Sequence, residues 1–261
     1  MKILLTAINA KYIHSNLAVY NLQAYARKYL GQETAVEIAE YTINHPIGDI
    51  LEGIYKEKPD VLCFSCYIWN MRYVAELMQE YHKLCPDVPI WVGGPEASYE
   101  TEDFLAEHPE ITGIMVGEGE QTFLELCRHY EEEKDTDALA EIAGIVYRRG
   151  EEICHTKVRA TLDMSEIPFC YGQIEDFKNR IIYYESSRGC PYRCSYCLSS
   201  IEKTVRLRDM EVVKKELQFF LDHKVKQVKF VDRTFNCNHK HAVAIWQYIL
   251  GHDNGVTNFH F

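Results

Sequence analysis

The sequence predicts an α/β protein built from two successive series of βα units on parallel sheets. Short apolar runs alternate with amphipathic stretches over roughly the first 130 residues, and a charge-dense segment at 131–137 then breaks the pattern. The same alternation resumes from Ile181. Parallel neighbouring strands require a crossover, usually a helix, so this alternation indicates parallel sheets. We therefore expect two α/β portions joined by a connecting segment.

The first series contains five βα units. The apolar runs predict strands at Lys2 to Ala7, Ala35 to Glu40, Val61 to Ser65, Ile90 to Val92 and Gly113 to Val116. Helical spacing predicts helices at Leu17 to Tyr29, Ile47 to Glu57, Met71 to Leu84, Glu100 to Ala106 and Glu120 to Tyr130. Five such units fit a doubly wound sheet of the flavodoxin type, in which ligands bind beyond the carboxyl ends of the strands.

The charged run at 131–137 marks the end of the first domain, which we place at residues 1–133. Residues 134–180 are predicted to be a linker that contains a β-hairpin, Gly144 to Arg148 paired with Glu151 to His155. The second series occupies residues 181–261. Its predicted elements are strand Ile181 to Ser186, helix Met210 to Leu221, strand Gln227 to Val231, helix His239 to Leu250 and strand Asn258 to Phe261.

Composition and charge limit the function classes. With 47% hydrophobic and 26% charged residues, the 261-residue chain has the composition of an ordinary globular protein. A net charge of −11 disfavours binding to a phosphate backbone, so nucleic acid is not an expected partner. The sequence has neither a long apolar run nor a secretory signal at Met1, which predicts a cytoplasmic protein without membrane attachment. Its ten cysteines are then expected to be thiols or metal ligands.

Three of these cysteines form the strongest motif in the chain. Cys190, Cys194 and Cys197 have C-x3-C-x2-C spacing directly after a predicted strand. Three thiolates on one loop can bind three irons of a 4Fe-4S cluster, which leaves one iron open to a further ligand. A zinc site is the alternative, with a distant fourth ligand among Cys237, His239 and His241.

This segment resembles the radical S-adenosylmethionine (SAM) superfamily, whose motif is C-x3-C-x-aromatic-C, with Tyr196 at the aromatic position. The resemblance implies that Cys190, Cys194 and Cys197 bind the cluster and that the open iron binds SAM. It places Tyr196 near the adenine and makes Asp232, at the end of the next strand, a candidate contact for the SAM amine. A turn or helix-cap role is the alternative for Asp232.

A predicted doubly wound domain with Gly93-Gly94 after its fourth strand precedes the cysteine loop, and in this it resembles the cobalamin-binding domain of cobalamin-dependent radical enzymes. The segment 9–17 reads much like the beginning of a subgroup of these enzymes whose substrate is unassigned. Gly93 and Gly94 match the glycine pair that accommodates the nucleotide tail in these domains. Ser65, Tyr67 and Asn70 lie where related domains often have Ser-x-Leu-x-x-Thr, so only the serine matches. The D-x-H-x-x-G motif that supplies a lower-face histidine is absent, although His14 lies nearby. The resemblance therefore implies a cobalt whose lower face is open or water-bound, with His14 as a candidate ligand or loop residue.

The implied activity is methyl transfer to an unactivated carbon, with a flavodoxin or ferredoxin as electron donor and a small molecule as substrate. One alternative is a cobalamin-free methylthiotransferase, which would need a second cluster near Cys63, Cys66 and Cys85. Another is a non-catalytic cofactor-binding module. A radical barrel needs on the order of 200 residues, whereas about 80 follow Ile181, so we expect the second portion to be only the beginning of a barrel.

Overall fold

The computed structural model describes residues 1–202 and 204–261. The chain divides into two compact units. The first comprises residues 1–12 and 18–162, and the second comprises residues 13–17 and 163–261. The short segment 13–17 therefore belongs to the second unit, although it lies near the start of the chain.

The first unit is a seven-stranded sheet in the order β2-β1-β3-β4-β5-β6-β7. Its strands are β1 (Lys2–Asn9), β2 (Ala35–Thr42), β3 (Val61–Ser65), β4 (Ile90–Gly93), β5 (Gly113–Met115), β6 (Ile145–Arg149) and β7 (Glu152–His155). Its helices are α1 (Leu17–Tyr29), α2 (Ile47–Glu57), α3 (Met71–Leu84), α4 (Thr101–Glu107) and α5 (Gly119–Glu131). The first five strands are mutually parallel in the order 2-1-3-4-5, which confirms the doubly wound, flavodoxin-like fold.

The sheet has an apolar core on each face, because successive strand residues point to opposite sides. Leu4 and Ile8 of β1 pack with residues of α2 and α3 on one face. Leu5 and Ala7 of the same strand pack on the other face with residues of α1 and α5. Burial on both faces explains why the strands read as continuous apolar runs.

The hairpin lies in the first unit, not in a linker. β6 pairs antiparallel with β5, where Ile114 lies opposite Val146, and β7 pairs antiparallel with β6. The two strands thus extend the parallel sheet, and the first unit continues to Leu162 instead of ending at residue 133. The N–H and C=O groups of β6 find hydrogen-bond partners on β5, which the outer edge of a hairpin in a linker would lack.

The second unit contains a three-stranded parallel sheet in the order β12-β11-β8. Its strands are β8 (Ile182–Tyr184), β11 (Gln227–Phe230) and β12 (Asn258–His260), and a separate antiparallel pair is formed by β9 (Ser187–Arg188) and β10 (Arg206–Leu207). Its helices are α6 (Met210–Asp222) and α7 (His239–Gly251). These elements confirm the second series of βα units.

A buried ion pair anchors the start of α6. Arg208 and Glu216 are 7% and 5% exposed, and two nitrogens of the guanidinium contact both carboxylate oxygens at 2.9 and 2.6 Å. Arg208 also donates to the carbonyls of Met164 and Ile167, which fixes the segment preceding the sheet. Within the described residues, the helices are too short or too polar to cross a membrane.

Candidate functional site

The carboxyl ends of β1, β3, β4 and β5 form one candidate site, since the strand order reverses between β1 and β3. Asn70, which is fully buried, organises the loop after β3. Its amide nitrogen donates to the carbonyls of Ser65 (2.8 Å) and Ile8 (3.1 Å), and its oxygen accepts from the Tyr67 N–H (2.8 Å). Asn70 therefore joins the ends of two strands at the switch point.

An aromatic pair lies on this loop. The rings of Tyr67 and Trp69 are stacked, with centroids 4.4 Å apart and an interplanar angle of 11°. The indole N–H of Trp69 donates to the carbonyl of Ile8 at 3.3 Å, yet the residue stays 45% exposed. The neighbouring Ile68 is 79% exposed. The loop thus presents apolar surface beyond the strand ends, where a flat apolar ligand can pack.

Gly93 and Gly94 end β4 for different reasons. Gly94 has a φ of +111°, and a Cβ there would lie 2.5 Å from the carbonyl oxygen of Cys66, so the fold itself requires glycine. A Cβ at Gly93 would make only an ordinary 3.6 Å contact with Met115. The packing of the chain itself therefore does not require glycine at position 93. A glycine there is consistent with a ligand that approaches the backbone closely.

The other residues considered for the cobalamin site or a second cluster have different surroundings. Ser65 lies at the end of β3, where its carbonyl accepts from Asn70. His14 lies in the second unit, and its Nδ1 is 2.6 Å from the hydroxyl oxygen of Tyr183. Burial raises the pKa of both Cys63 and Cys66 to about 12, which keeps these thiols protonated and disfavours a metal or redox role.

The cysteine motif lies on a loop of the second unit that the β9–β10 pair closes. Gly189 begins this loop with a φ of +90°, and a Cβ there would lie 2.1 Å from the carbonyl oxygen of Thr204. The N–H of Cys190 donates to the carbonyl of Glu202 at 3.3 Å. Only glycine allows the chain at the start of the cysteine loop to lie this close to the segment that precedes β10.

The three cysteines have unequal environments. Cys190 is 9% exposed, whereas Cys194 and Cys197 are half-buried. Hydrogen bonds from the backbone and hydroxyl of Ser199 lower the pKa of Cys197, with a smaller effect from the charge of Arg233. A lower pKa favours the thiolate, the form that binds metal.

Across the described residues, no three His, Cys, Asp or Glu side chains are arranged as a metal site. The assignment of Cys190, Cys194 and Cys197 to a cluster therefore stays a prediction from spacing and thiol chemistry. The same holds for the zinc alternative with Cys237, His239 or His241. Tyr196, within the motif, is 90% exposed, and its adenine contact also stays a prediction.

Asp232 belongs to a hydrogen-bond network that sequence reasoning missed. Its carboxylate accepts from the Ser186 N–H (3.1 Å), the Ser186 hydroxyl (2.7 Å) and the Ser187 hydroxyl (2.5 Å). His241 Nε2 lies 3.3 Å from the Ser186 hydroxyl oxygen. Because that hydroxyl donates to Asp232, it accepts from His241. The network ties the ends of β8 and β11 to α7, directly before the cysteine loop.

Comparison with known proteins gives the family relationship. The family profile of the B12 binding domain matches residues 3–127. A 2-(S-pantetheinyl)-carbapenam-3-carboxylate methyltransferase of Streptantibioticus cattleyicolor is 30% identical over 230 residues, which cover 80% of this chain and 33% of that protein. The cobalamin-dependent radical SAM methyltransferase TokK of Streptomyces tokunonensis is 30% identical over 207 residues, covering 73% of this chain and 29% of TokK. The chain thus spans about a third of these relatives.

Solved structures support the same fold. OxsB, a cobalamin-dependent S-adenosylmethionine radical enzyme solved with aqua-cobalamin and S-adenosylmethionine, matches with a TM-score of 0.78 at 24% identity, over 99% of this chain and 38% of OxsB. The radical S-adenosylmethionine methyltransferase TsrM from Kitasatospora setae matches with a TM-score of 0.77 at 17% identity, over 97% of this chain and 52% of TsrM. Residues 3–127 form a B12-binding domain, and the chain is related to the cobalamin-dependent radical SAM enzymes, of which it spans only part.

Proposed function

We propose that this chain is the cofactor-binding part of a cobalamin-dependent radical SAM enzyme that transfers a methyl group to an unactivated carbon. The observation that carries the proposal is the C-x3-C-x2-C loop following a parallel strand in a chain that also contains a B12-binding domain. One relative, 30% identical over 207 residues, is named as a cobalamin-dependent radical SAM methyltransferase. The substrate class we expect is a small molecule.

The proposed cluster ligands are Cys190, Cys194 and Cys197. Thiolates are the usual ligands of iron–sulfur clusters, and the lowered pKa of Cys197 favours that form. When bound, the cluster and SAM supply a deoxyadenosyl radical, and cobalamin supplies the methyl group. The protein's own contribution is to fix the loop through Gly189 and to present the exposed Tyr196 to the adenine.

In the first unit, the proposed cobalamin contacts are Ser65, Gly93 and Gly94 at the ends of β3 and β4. The stacked Tyr67 and Trp69 offer a flat apolar surface of the kind that a corrin ring can cover. The contact of His14 with Tyr183 favours a positioning role for this histidine over cobalt ligation.

The alternatives have less support. A methylthiotransferase with a second cluster would need accessible thiolates, whereas Cys63 and Cys66 are buried, with pKa values raised to about 12. A relative named as a putative methylthiotransferase of Methanocaldococcus jannaschii is only 26% identical over 174 residues. A non-catalytic cofactor-binding module differs from our proposal in one measurable property, cleavage of SAM.

The experiment is anaerobic reconstitution of the complete protein with iron, sulfide and hydroxocobalamin, followed by metal and corrin analysis. We expect about four iron atoms per chain, together with bound corrin. Addition of SAM and dithionite should then release deoxyadenosine. Flavodoxin or ferredoxin, the proposed physiological donors, should replace dithionite. Bound zinc in place of iron would overturn the cluster assignment, and a loaded cluster without SAM cleavage would favour the non-catalytic module.

Single cysteine variants locate the site. Cys190→Ala, Cys194→Ala and Cys197→Ala should each lose most of the iron. The Cys237→Ala variant should keep its iron. If Cys237 were instead the fourth ligand of a zinc site, this variant would lose its metal. Cys154→Ala, on the hairpin of the first unit, is the matched control for an unrelated thiol.

A further inference from the structure

Thr234 is the polar side chain that meets the most buried cysteine of the motif. Its Oγ1 lies 3.4 Å from the Sγ of Cys190, a normal distance for a hydrogen bond to sulfur. Cys190 is 9% exposed, while the other two cysteines are more accessible. Of the three cysteines, Cys190 is therefore the least accessible to water. The hydrogen bond from Thr234 to its sulfur has the least competition from solvent.

The contact joins two segments that are themselves tightly held. Ser187 precedes Cys190 by three residues, and Asp232 precedes Thr234 by two. The Asp232 carboxylate accepts from the Ser187 hydroxyl at 2.5 Å, which fixes one segment to the other. Beyond this pair, the carbonyl of Thr234 accepts from the Cys237 N–H at 3.0 Å and holds the threonine in a turn.

The chemistry fixes the direction of the hydrogen bond once Cys190 binds iron. A ligating thiolate has no proton to donate, so the Thr234 hydroxyl is the donor and the sulfur is the acceptor. Hydrogen bonds to cluster sulfurs are among the features that set the reduction potential of an iron–sulfur cluster. A donor stabilises the more negative, reduced cluster more than the oxidised one, and therefore raises the potential.

We propose that Thr234 is a positioning residue that donates a hydrogen bond to the Cys190 sulfur and makes the cluster easier to reduce. The inference rests on the proposed function, because it requires Cys190 to be a cluster ligand. It goes further by assigning a role to a residue outside the C-x3-C-x2-C motif. Thr234 acts through Cys190 and needs no contact with SAM or substrate.

The test compares Thr234→Val, which has nearly the same shape but no hydroxyl, with Thr234→Ser, which keeps the hydroxyl. The complete protein is reconstituted anaerobically, and the cluster is titrated with dithionite and redox mediators while its EPR signal is followed. Loss of the donor should lower the equilibrium constant for one-electron reduction roughly tenfold, a shift of about 59 mV to a more negative potential. Thr234→Ser should restore the wild-type value.

Thr204→Val is the matched control, since Thr204 is an exposed threonine on the same loop. It should leave the potential unchanged. Iron content is measured for every variant. If wild-type protein binds no cluster, the proposed function fails. If the cluster loads fully and Thr234→Val has the wild-type potential, or if Thr204→Val shifts it equally, the role of Thr234 is overturned while the proposed function stands.

Discussion

The carboxylate of Asp232 accepts hydrogen bonds from both the backbone N–H and the hydroxyl of Ser186, at 3.1 and 2.7 Å. Asp232 follows the end of β11, and Ser186 follows the end of β8. The two strands are already paired in parallel, with Phe230 opposite Tyr184. The hydrogen bonds of Asp232 thus connect the two chain segments beyond the last residue pair of β8 and β11, just before the cysteine loop begins.

Asp232→Ala is therefore expected to destabilise the second unit. Ser186 is fully buried, and removal of the carboxylate leaves its N–H and hydroxyl without this acceptor. An unsatisfied buried donor costs about 1–3 kcal/mol. Urea unfolding followed by tryptophan fluorescence should show a loss of this size without any cofactor present, measured in a Trp69→Phe, Trp91→Phe background so that the signal comes from Trp246 in α7 of the same unit.

Asp253→Ala provides the comparison. Asp253 accepts from the Gly255 N–H at 2.9 Å at an exposed position, where water replaces the lost contact. The Asp253 variant should lose much less stability. If Asp232→Ala were as stable as Asp253→Ala but bound SAM more weakly, Asp232 would be the amine contact predicted from sequence instead of a structural residue.

Gly189→Ala is expected to abolish cluster assembly. Its new Cβ would lie 2.1 Å from the Thr204 carbonyl oxygen, so β9 and β10 would have to separate at the start of the cysteine loop. Iron retained after anaerobic reconstitution and desalting measures the effect, and we expect it to fall to a small fraction of the wild-type amount. Gly255→Ala is the control, because Gly255 also has positive φ (+68°) but has open space around it. Equal iron loss in both variants would mean that a general loss of stability in the second unit, and not the clash beside the cysteine loop, prevents cluster assembly.

Local sequence patterns predicted most of the regular structure. The spacing of apolar residues gave the observed bounds of α1, α2 and α3, and β3 was predicted over its observed range. These elements bury a periodic set of side chains, so their extent is encoded locally. The flavodoxin-like fold type was also predicted, because few topologies accommodate five successive βα units.

Long-range contacts were outside the reach of these patterns. Turn residues predicted the hairpin at Gly150, but nothing in its sequence indicated that β6 would pair with β5. Ser186 and His241 lie 55 positions apart without any motif, and their contact depends on how β8 and α7 pack. Gly189 acquires its steric role from Thr204, which only the β9–β10 pairing brings near. The sequence thus predicted the site residues that form a local motif. It did not predict the residues that hold the motif in place through contacts between distant segments.

The two glycines at the end of β4 should respond differently to alanine. Gly94→Ala would place a Cβ 2.5 Å from the Cys66 carbonyl oxygen, so it should lower the thermal stability of the first unit. Gly93→Ala makes only a 3.6 Å contact with Met115, so its stability should stay near that of the wild type. If a corrin approaches the backbone at Gly93, the same variant should bind hydroxocobalamin at least tenfold more weakly, as measured by absorbance titration. Unchanged affinity in Gly93→Ala would remove Gly93 from the proposed site.

The stability of the second unit should depend on pH through His241. Burial lowers the pKa of His241, and the nearby Asp232 carboxylate only partly offsets this effect. In the unfolded chain a histidine titrates near 6.5, so the unfolded state binds a proton at higher pH than the folded state does. The contribution of neutral His241 is therefore complete above about pH 6.5 and is lost as the pH falls below that value.

His241→Gln keeps a side-chain N–H to donate to Ser186 but cannot titrate. Urea unfolding at pH 8 and pH 5.5 should show a smaller loss of stability in this variant than in the wild type. His252→Gln, at an exposed position after α7, should keep the wild-type pH dependence. Parallel pH profiles for the wild type and His241→Gln would show that His241 does not control the stability of this unit.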